Sequence, residues 1–352
     1  MPIVPDSAVA YCRFFSCAIA LLLFVVSSLA EPAQSLSILG ESIQPGVRQR
    51  LNLDYGAAFL GDSHTTPVIV AHGTGQGPTL CLTAAVHGDE INGVEVIRRL
   101  LRQTDVARLR GTLIAVPAVN WLAFMQGSRE TPERRDINRY FPGNPENDYA
   151  SRLTHVLFEK VLKPHCDYLV DLHTATLKRS NIPHLRADLG NEDVRRLAAL
   201  LGELPILWGD GSTRMLRPQA VRAGITAVTL EFGSAETIQA DMVDVVARSL
   251  TALMQRLGMR DGQPPRLGRQ ELFKKAVWLR VPEGGLFLSR VKTGDEVRAG
   301  ETVGVLVNFL GDEEVALPSP VDGKILGLAY DQFVLPGYGV AHVGSRDGTD
   351  AP

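Results

Sequence analysis

His87 and Glu90 stand three residues apart in "TAAVHGDEINGVEVIRRL", where an apolar run gives way to a helical stripe. At a helix start that spacing lets both side chains face the same way. One imidazole and one carboxylate are two thirds of the His₂Glu set that holds catalytic zinc. The pair alone is unspecific, because Asp89 and Glu90 also suit a first helical turn, where acids complement the dipole. A third donor makes it a constellation. "YLVDLHTAT" sets His173 at the end of another apolar run, with Asp171 two residues earlier, either to orient an imidazole or to serve as a cap or loop acceptor. "VTLEFGS" carries Glu231 among apolar neighbours. Beside a metal it would be a proton-transferring carboxylate; the plainer alternative is an ion pair with an arginine. Three protein ligands leave a fourth position for water, as hydrolysis requires.

Between these residues lies "NWLAFMQGSRETPERRDINRYFPGNP" (120–145), a long polar loop with Arg129, Arg134, Arg135 and Arg139. Loops of that length in compact domains are functional or disordered. Arginine suits bidentate recognition of a carboxylate, so Asn138 with Arg139 can bind one on a substrate. A second arginine is then available to polarise a carbonyl. Arginines that merely solubilise the loop are the alternative.

The elements that must position these residues follow from periodicity. "PTLCLTAAV", "GTLIAVPAVN" (111–120), "DYLVDLH" (167–173) and "AVTLEFG" (227–233) are continuous apolar runs of strand length. "INGVEVIRRLLRQ", 147–163 and 240–258 are helical stretches. Apolar strands separated by helices predict a mostly parallel sheet covered on both faces, with ligands outside the strands' carboxyl ends. His87, Asn120, His173 and Glu231 fall at such ends. After a Pro/Gly-rich linker (260–270), short alternating runs broken by Gly-Asp, Ala-Gly and Pro predict a small all-β domain.

Of 352 residues, 45% are apolar and 21% charged, and the net charge is −3, which suits a globular chain of about two domains. The absence of a basic run gives no reason to expect a nucleic-acid partner. Residues 1–30 read as a secretory signal: one Arg, an apolar run from Phe14 to Val26, and a small-residue site ending at Ala30. An uncleaved anchor is the alternative. Cys12 and Cys17 lie in that segment, leaving Cys81 and Cys166 as buried thiols, or as a disulfide in an oxidising compartment. The expected organisation is a signal at 1–30, an α/β domain at 31–262 and a β-domain at 263–352.

With H-G-D-E, N-x8-R, D-I-N-R-Y-F-P-G, D-L-H-T and T-L-E-F-G in this order, the chain resembles the succinylglutamate desuccinylase/aspartoacylase family. The resemblance spans roughly residues 65 to 260 and places it in the zinc carboxypeptidase-like clan. It implies a three-layer α/β/α domain and one Zn²⁺ held by His87, Glu90 and His173. It implies Glu231 as general base and acid, Arg129 as the carbonyl-polarising residue, with Arg134 and Arg135 as alternatives, and Asn138 with Arg139 as carboxylate binders. The implied reaction is amide hydrolysis in an N-acyl amino acid. A secretory signal departs from intracellular members of the family and points to a periplasmic or secreted protein. It also motivates a rival, an exported metallocarboxypeptidase acting on short or cell-wall peptides. A rival of another class is a non-catalytic binder that keeps the fold. The C-terminal part resembles the barrel-sandwich domain of biotinyl and lipoyl carriers. The tip stretch "NFLGDEEVALP" has no Lys and Lys324 lies elsewhere, so a structural or site-covering module is expected. The expected partner is a small N-acyl amino acid or short peptide, with no nucleic acid and no membrane beyond the signal segment.

Overall fold

The computed structural model describes residues 33–57, 63–176, 178–308, 310 and 313–347. The signal-like segment, with Cys12 and Cys17, lies outside them. The described residues belong to one compact unit, Glu31–Pro352. Its backbone is a large mixed sheet. Across it run Lys275–Arg280, Gly339–Ser345, Gly323–Ala329, Arg179–Ala187, Thr226–Ser234, Tyr168–Ala175, Gly75–Ala84, Arg110–Val116, Ser63–His72 and Val47–Ala57. The central four, Thr226–Ser234 to Arg110–Val116, are mutually parallel, as their uninterrupted apolar sequences predict. Antiparallel strands extend the sheet on both sides.

Strand alternation divides the core into two faces. Leu80, Leu82, Val170, Leu172, Val228 and Leu230 pack against Val96, Ile97 and Leu100 of helix Asn92–Gln103 and Val243, Val246 and Leu250 of helix Ala240–Arg256. The interleaved residues Cys81, Ile114, Leu169 and Ala227 face the other way, against Leu153 and Leu157 of helix Tyr149–Leu157 and Ala220 of helix Leu216–Arg222. The result is the three-layer α/β/α arrangement. Within the second face Cys81 and Cys166 form a disulfide, their Cα atoms 5.7 Å apart and 85 residues apart in sequence. Closing a loop of that length removes about 4–5 kcal/mol of chain entropy from the unfolded state in the loop-closure picture.

The C-terminal region is all-β, with its own core around Phe287, Val303, Leu306, Ile325 and Val343. It nevertheless joins the main sheet. Gly327, Leu328 and Ala329 pair antiparallel with Asn181, Ser180 and Arg179. The Arg179–Ala187 strand that makes this junction also pairs with the Glu231 strand on its other edge. Its sequence, "RSNIPHLRA", contains Pro183, and proline within a run argues against a central strand.

His184 and His342 are both buried near this junction. Burial first, then the nearby Arg186 charge, pushes their pKa values down to about 4 and about 3. The folded chain therefore keeps both rings neutral while the unfolded chain protonates them near the ordinary value of 6.5. Their contribution is complete above that value and is lost as pH falls toward 4 and then 3. Denaturant titrations should show stability declining with acid across this window. A His342→Phe variant should decline less steeply, by up to about 1.4 kcal/mol per pH unit.

Candidate metal and substrate site

The Gly75–Ala84 strand ends in a sharp redirection. Ala85 is buried with φ of 45°, and its carbonyl accepts from Asn120 N. A non-glycine residue there is strained, and such strain persists where the surroundings fix it. Gly88 follows because a Cβ would lie 2.2 Å from the backbone of Ala123 and Phe124. The chain thereby swings His87 and Glu90 inward before helix Asn92–Gln103 begins. Asn92 ties that helix start to the Glu231 strand by donating to Ser234 O at 3.2 Å and accepting from Gln239 N at 2.9 Å.

Glu90 is 1% exposed and is the centre of the cluster. Its Oε1 contacts His87 Nδ1 at 2.7 Å and accepts from Arg129 Nη1 at 2.8 Å. Its Oε2 contacts His173 Nδ1 at 2.8 Å and accepts from Thr174 N at 3.0 Å. Each imidazole's other nitrogen meets a second carboxylate: His173 Nε2 to Asp171 at 2.9 Å, and His87 Nε2 to Asp136 at 3.0 Å. Asp171 is itself fixed by Thr83 Oγ1, which donates at 2.7 Å. Burial alone would raise the Glu90 pKa, but the two imidazoles hold it well below the carboxylate range. Burial likewise opposes charge on the rings. For His173 the Asp171 and Glu90 charges win and raise its pKa well above normal; for His87 the Glu90 charge and the Asp136 contact win and raise it.

One donor atom from each of His87, Glu90 and His173 lies within 4.8 Å of the others, and all three are buried. Two imidazole nitrogens and a carboxylate oxygen, with the outer nitrogens anchored by Asp136 and Asp171, match a divalent ion such as zinc in chemistry and in supporting contacts. Asp89 stays out of the set. It is 5% exposed with Oδ1 unpartnered, and burial, then the Glu90 charge, raises its pKa.

These residues form one wall of a cavity of about 550 Å³. Glu231 lines it from the neighbouring strand, where it is the register partner of His173. Glu231 makes the ion-pair contact that was its plainer reading, with Arg186 Nε 2.9 Å from Oε1, and Asn181 Nδ2 donates to Oε2 at 3.1 Å. Arg129, Asn138 and Arg139 also line the cavity; Arg134 and Arg135 do not. Asn138 Oδ1 accepts from Leu216 N at 2.9 Å, which leaves its amide nitrogen to donate. Asn120 instead caps helix Trp121–Gln126, accepting from Ala123 N at 3.4 Å.

Several cavity residues have no sequence expectation behind them. Asn181 and Arg186, which hold Glu231, sit on the strand that Pro183 disguises. Asp136, which meets His87 Nε2 behind the cavity wall, entered the sequence reading only within D-I-N-R-Y-F-P-G, without a role. Lys274, Lys275, Trp278 and His342 come from the C-terminal region, which therefore covers the site.

Residues 76–257 match the succinylglutamate desuccinylase/aspartoacylase catalytic domain. The N-alpha-acetyl-L-2,4-diaminobutyric acid deacetylase of Halomonas elongata is 25% identical over 283 residues, covering 78% of this chain and 77% of that protein. A succinylglutamate desuccinylase of Pseudomonas aeruginosa is 32% identical over 115 residues, 28% of this chain and 32% of that protein. A crystal structure of a succinylglutamate desuccinylase/aspartoacylase from Rhodobacter sphaeroides superposes with a TM-score of 0.76 at 28% identity, covering 85% of this chain and 96% of that one. The ectoine utilization protein EutE (DoeB) of Ruegeria pomeroyi, at 23% identity over 89% of this chain and 99% of that one, shares the fold with a TM-score of 0.77. The motifs, the strand-end cluster and the matched domain agree, and the chain belongs to the succinylglutamate desuccinylase/aspartoacylase family.

Proposed function

We propose that the protein is a zinc-dependent deacylase that hydrolyses the amide bond of N-acyl amino acids. The observation that carries this reading is the convergence of His87, Glu90 and His173 on a cavity wall shared with Glu231, Arg129, Asn138 and Arg139. The Halomonas and Pseudomonas relatives, a deacetylase and a desuccinylase by name, favour a deacylase over a peptidase.

His87, Glu90 and His173 would hold the ion. Zinc there would supply Lewis acidity toward the amide carbonyl and lower the pKa of an attacking water. The chain's own residues do the rest. Glu231, steadied by Asn181 and Arg186, takes the proton from water and delivers it to the departing nitrogen. Arg129 sits against Glu90 and 3.7 Å from Asp136, so its guanidinium is fixed where negative charge grows on the carbonyl oxygen. Arg139 and the free amide nitrogen of Asn138 receive the amino acid's carboxylate.

We also propose that the protein works in an oxidising compartment outside the cytoplasm, after loss of residues 1–30. The buried Cys81–Cys166 disulfide and the signal-like N-terminal sequence support this. Cell fractionation with N-terminal sequencing should find the chain in the periplasm or medium, starting at Glu31. Cytoplasmic recovery of the full-length chain would overturn it.

The ligand set is tested by metal analysis. Purified protein should hold about one zinc per chain. His87→Ala and His173→Ala should each lose the metal and nearly all activity toward a panel of N-acetyl and N-succinyl amino acids. Zinc retained in both variants would remove these residues from the set, and turnover of dipeptides alone would favour the peptidase. The proton-transfer assignment is tested separately. Glu231→Gln should keep its zinc while kcat falls about 10²–10⁴-fold. Arg129→Met should lower kcat about 10²–10³-fold with little change in KM.

A further inference from the structure

Two of the three tryptophans in the chain, Trp208 and Trp278, line the cavity. Trp278 is already engaged, with His342 stacked at 4.5 Å and the Arg179 guanidinium 5.0 Å from its ring centre. Trp208 is not. It ends strand Ile206–Trp208 and is 41% exposed. Among the described residues its indole N–H has no acceptor and its ring stacks on no other ring. Of the exposed large apolar side chains among the described residues, only Trp208 lines this cavity. Scattered surface apolar residues need no explanation, but aromatic side chains left open inside a cavity are what ligands pack against. The position of Trp208 is fixed beforehand. Gly209 N donates to Ala187 O at 3.0 Å, and Gly209 O accepts from Arg217 Nη2 at 2.9 Å. The loop that follows is held at its far end by Phe141 N, which donates to Arg214 O at 3.1 Å. It turns through Gly211, whose φ of 76° suits glycine, and a Cβ there would stand 3.2 Å from Pro218 Cγ and 3.6 Å from Met215 Sδ. Met215 and Pro218 thus sit together against the turn, and both line the cavity. A surface ordered before binding loses little entropy when a ligand lands on it.

We propose that Trp208, Met215 and Pro218 form the subsite for the side chain of the substrate's amino acid, and that the enzyme prefers N-acyl amino acids whose side chain is aromatic. The proposal rests on the deacylase reading and deepens it. Position selects the side chain over the acyl group. Asn138, which receives the carboxylate, accepts from Leu216 N at 2.9 Å, one residue after Met215. In an N-acyl amino acid the carboxylate and the side chain leave the same carbon, whereas the acyl group lies across the amide. A surface beside the carboxylate binders therefore meets the side chain. Chemistry selects an aromatic ring. Tryptophan offers a broad apolar surface with preferred ring-on-ring geometries, and a thioether contacts ring edges favourably. The Arg217 guanidinium, bonded to Gly209 O beside Trp208, suits the face of such a ring better than an aliphatic chain. Size agrees, since about 550 Å³ falls in the range that encloses ligands much larger than N-acetyl-glycine. The subsite also sets this chain apart from the Halomonas relative, named for a diaminobutyric acid, whose side-chain amine gains nothing from an apolar shelf.

The test measures kcat/KM on the zinc-loaded protein for the N-acetyl and N-succinyl derivatives of phenylalanine, leucine, alanine and aspartate. In at least one series phenylalanine should exceed alanine about tenfold or more, with leucine between them and aspartate no better than alanine. Trp208→Ala should erase most of the phenylalanine-to-alanine ratio, and Trp208→Phe should keep most of it. Because the Trp208 ring is exposed, the Ala variant should hold its zinc and melt close to the parent, so that the lost ratio reports on the subsite and not on folding. Equal rates across both series, a preference for aspartate over phenylalanine, a ratio that survives Trp208→Ala, or a marked drop in that variant's melting temperature would overturn the proposal. If neither series is turned over, the deacylase reading fails. Calorimetry then decides the subsite alone: N-acetyl-phenylalanine should bind more tightly than N-acetyl-alanine, and Trp208→Ala should remove the difference, whereas equal binding of the two would overturn it.

Discussion

The structure depends on keeping one almost fully buried carboxylate ionised. Glu90 is buried between two imidazoles, a guanidinium and the Thr174 amide, and each of its oxygens has two partners. An isolated buried carboxylate would take up a proton rather than stay charged. Here the partners come from three separate places in the chain, so the charge survives only when the His87 turn, the 120–145 loop and the His173 strand are assembled together. The site is therefore as much a consequence of the fold as a passenger on it. The same arrangement explains the outer carboxylates. Asp171 and Asp136 fix which nitrogen of each ring turns toward the centre.

That constraint makes the fold partly legible from sequence. The parallel centre could be read because strands buried on both faces must be apolar throughout, and "PTLCLTAAV" and "YLVDLH" are. His87, Glu90, His173 and Glu231 were legible because each interrupts such a run at the end where parallel sheets bind ligands. Arg129 and the Asn138–Arg139 pair could be found through the resemblance, and the cavity includes all three while passing over Arg134 and Arg135.

What was not legible has a physical cause in each case. Arg179–Ala187 runs antiparallel between two differently built regions, so its burial follows no simple alternation, and Pro183 masks it further. Its consequences are large: Asn181 and Arg186, on this strand, are the groups that orient Glu231. Arg217 lies on a seven-residue helix, Leu216–Arg222, too short to announce itself by periodicity. The pairing of Cys81 with Cys166 needed the fold, because Cys166 lies at a helix end just before its strand and sequence does not show that it meets a strand residue 85 positions away.

The junction strand also gives the C-terminal region a reason to be there. Asn181 meets Glu231 on one side and backs onto Gly327 on the other, where a Cβ would stand 2.4 Å from its Oδ1. Gly327 belongs to the all-β region, so the packing of that region fixes the position of Asn181 and, through it, of Glu231. Trp278 and His342, stacked at 4.5 Å, bring the same region over the cavity, and Trp278 holds Arg179 in place. The C-terminal all-β region is thus joined to the site it covers. Its strands Gly323–Ala329, Gly339–Ser345 and Lys275–Arg280 continue the main sheet, and its Lys274, Lys275, Trp278 and His342 line the cavity.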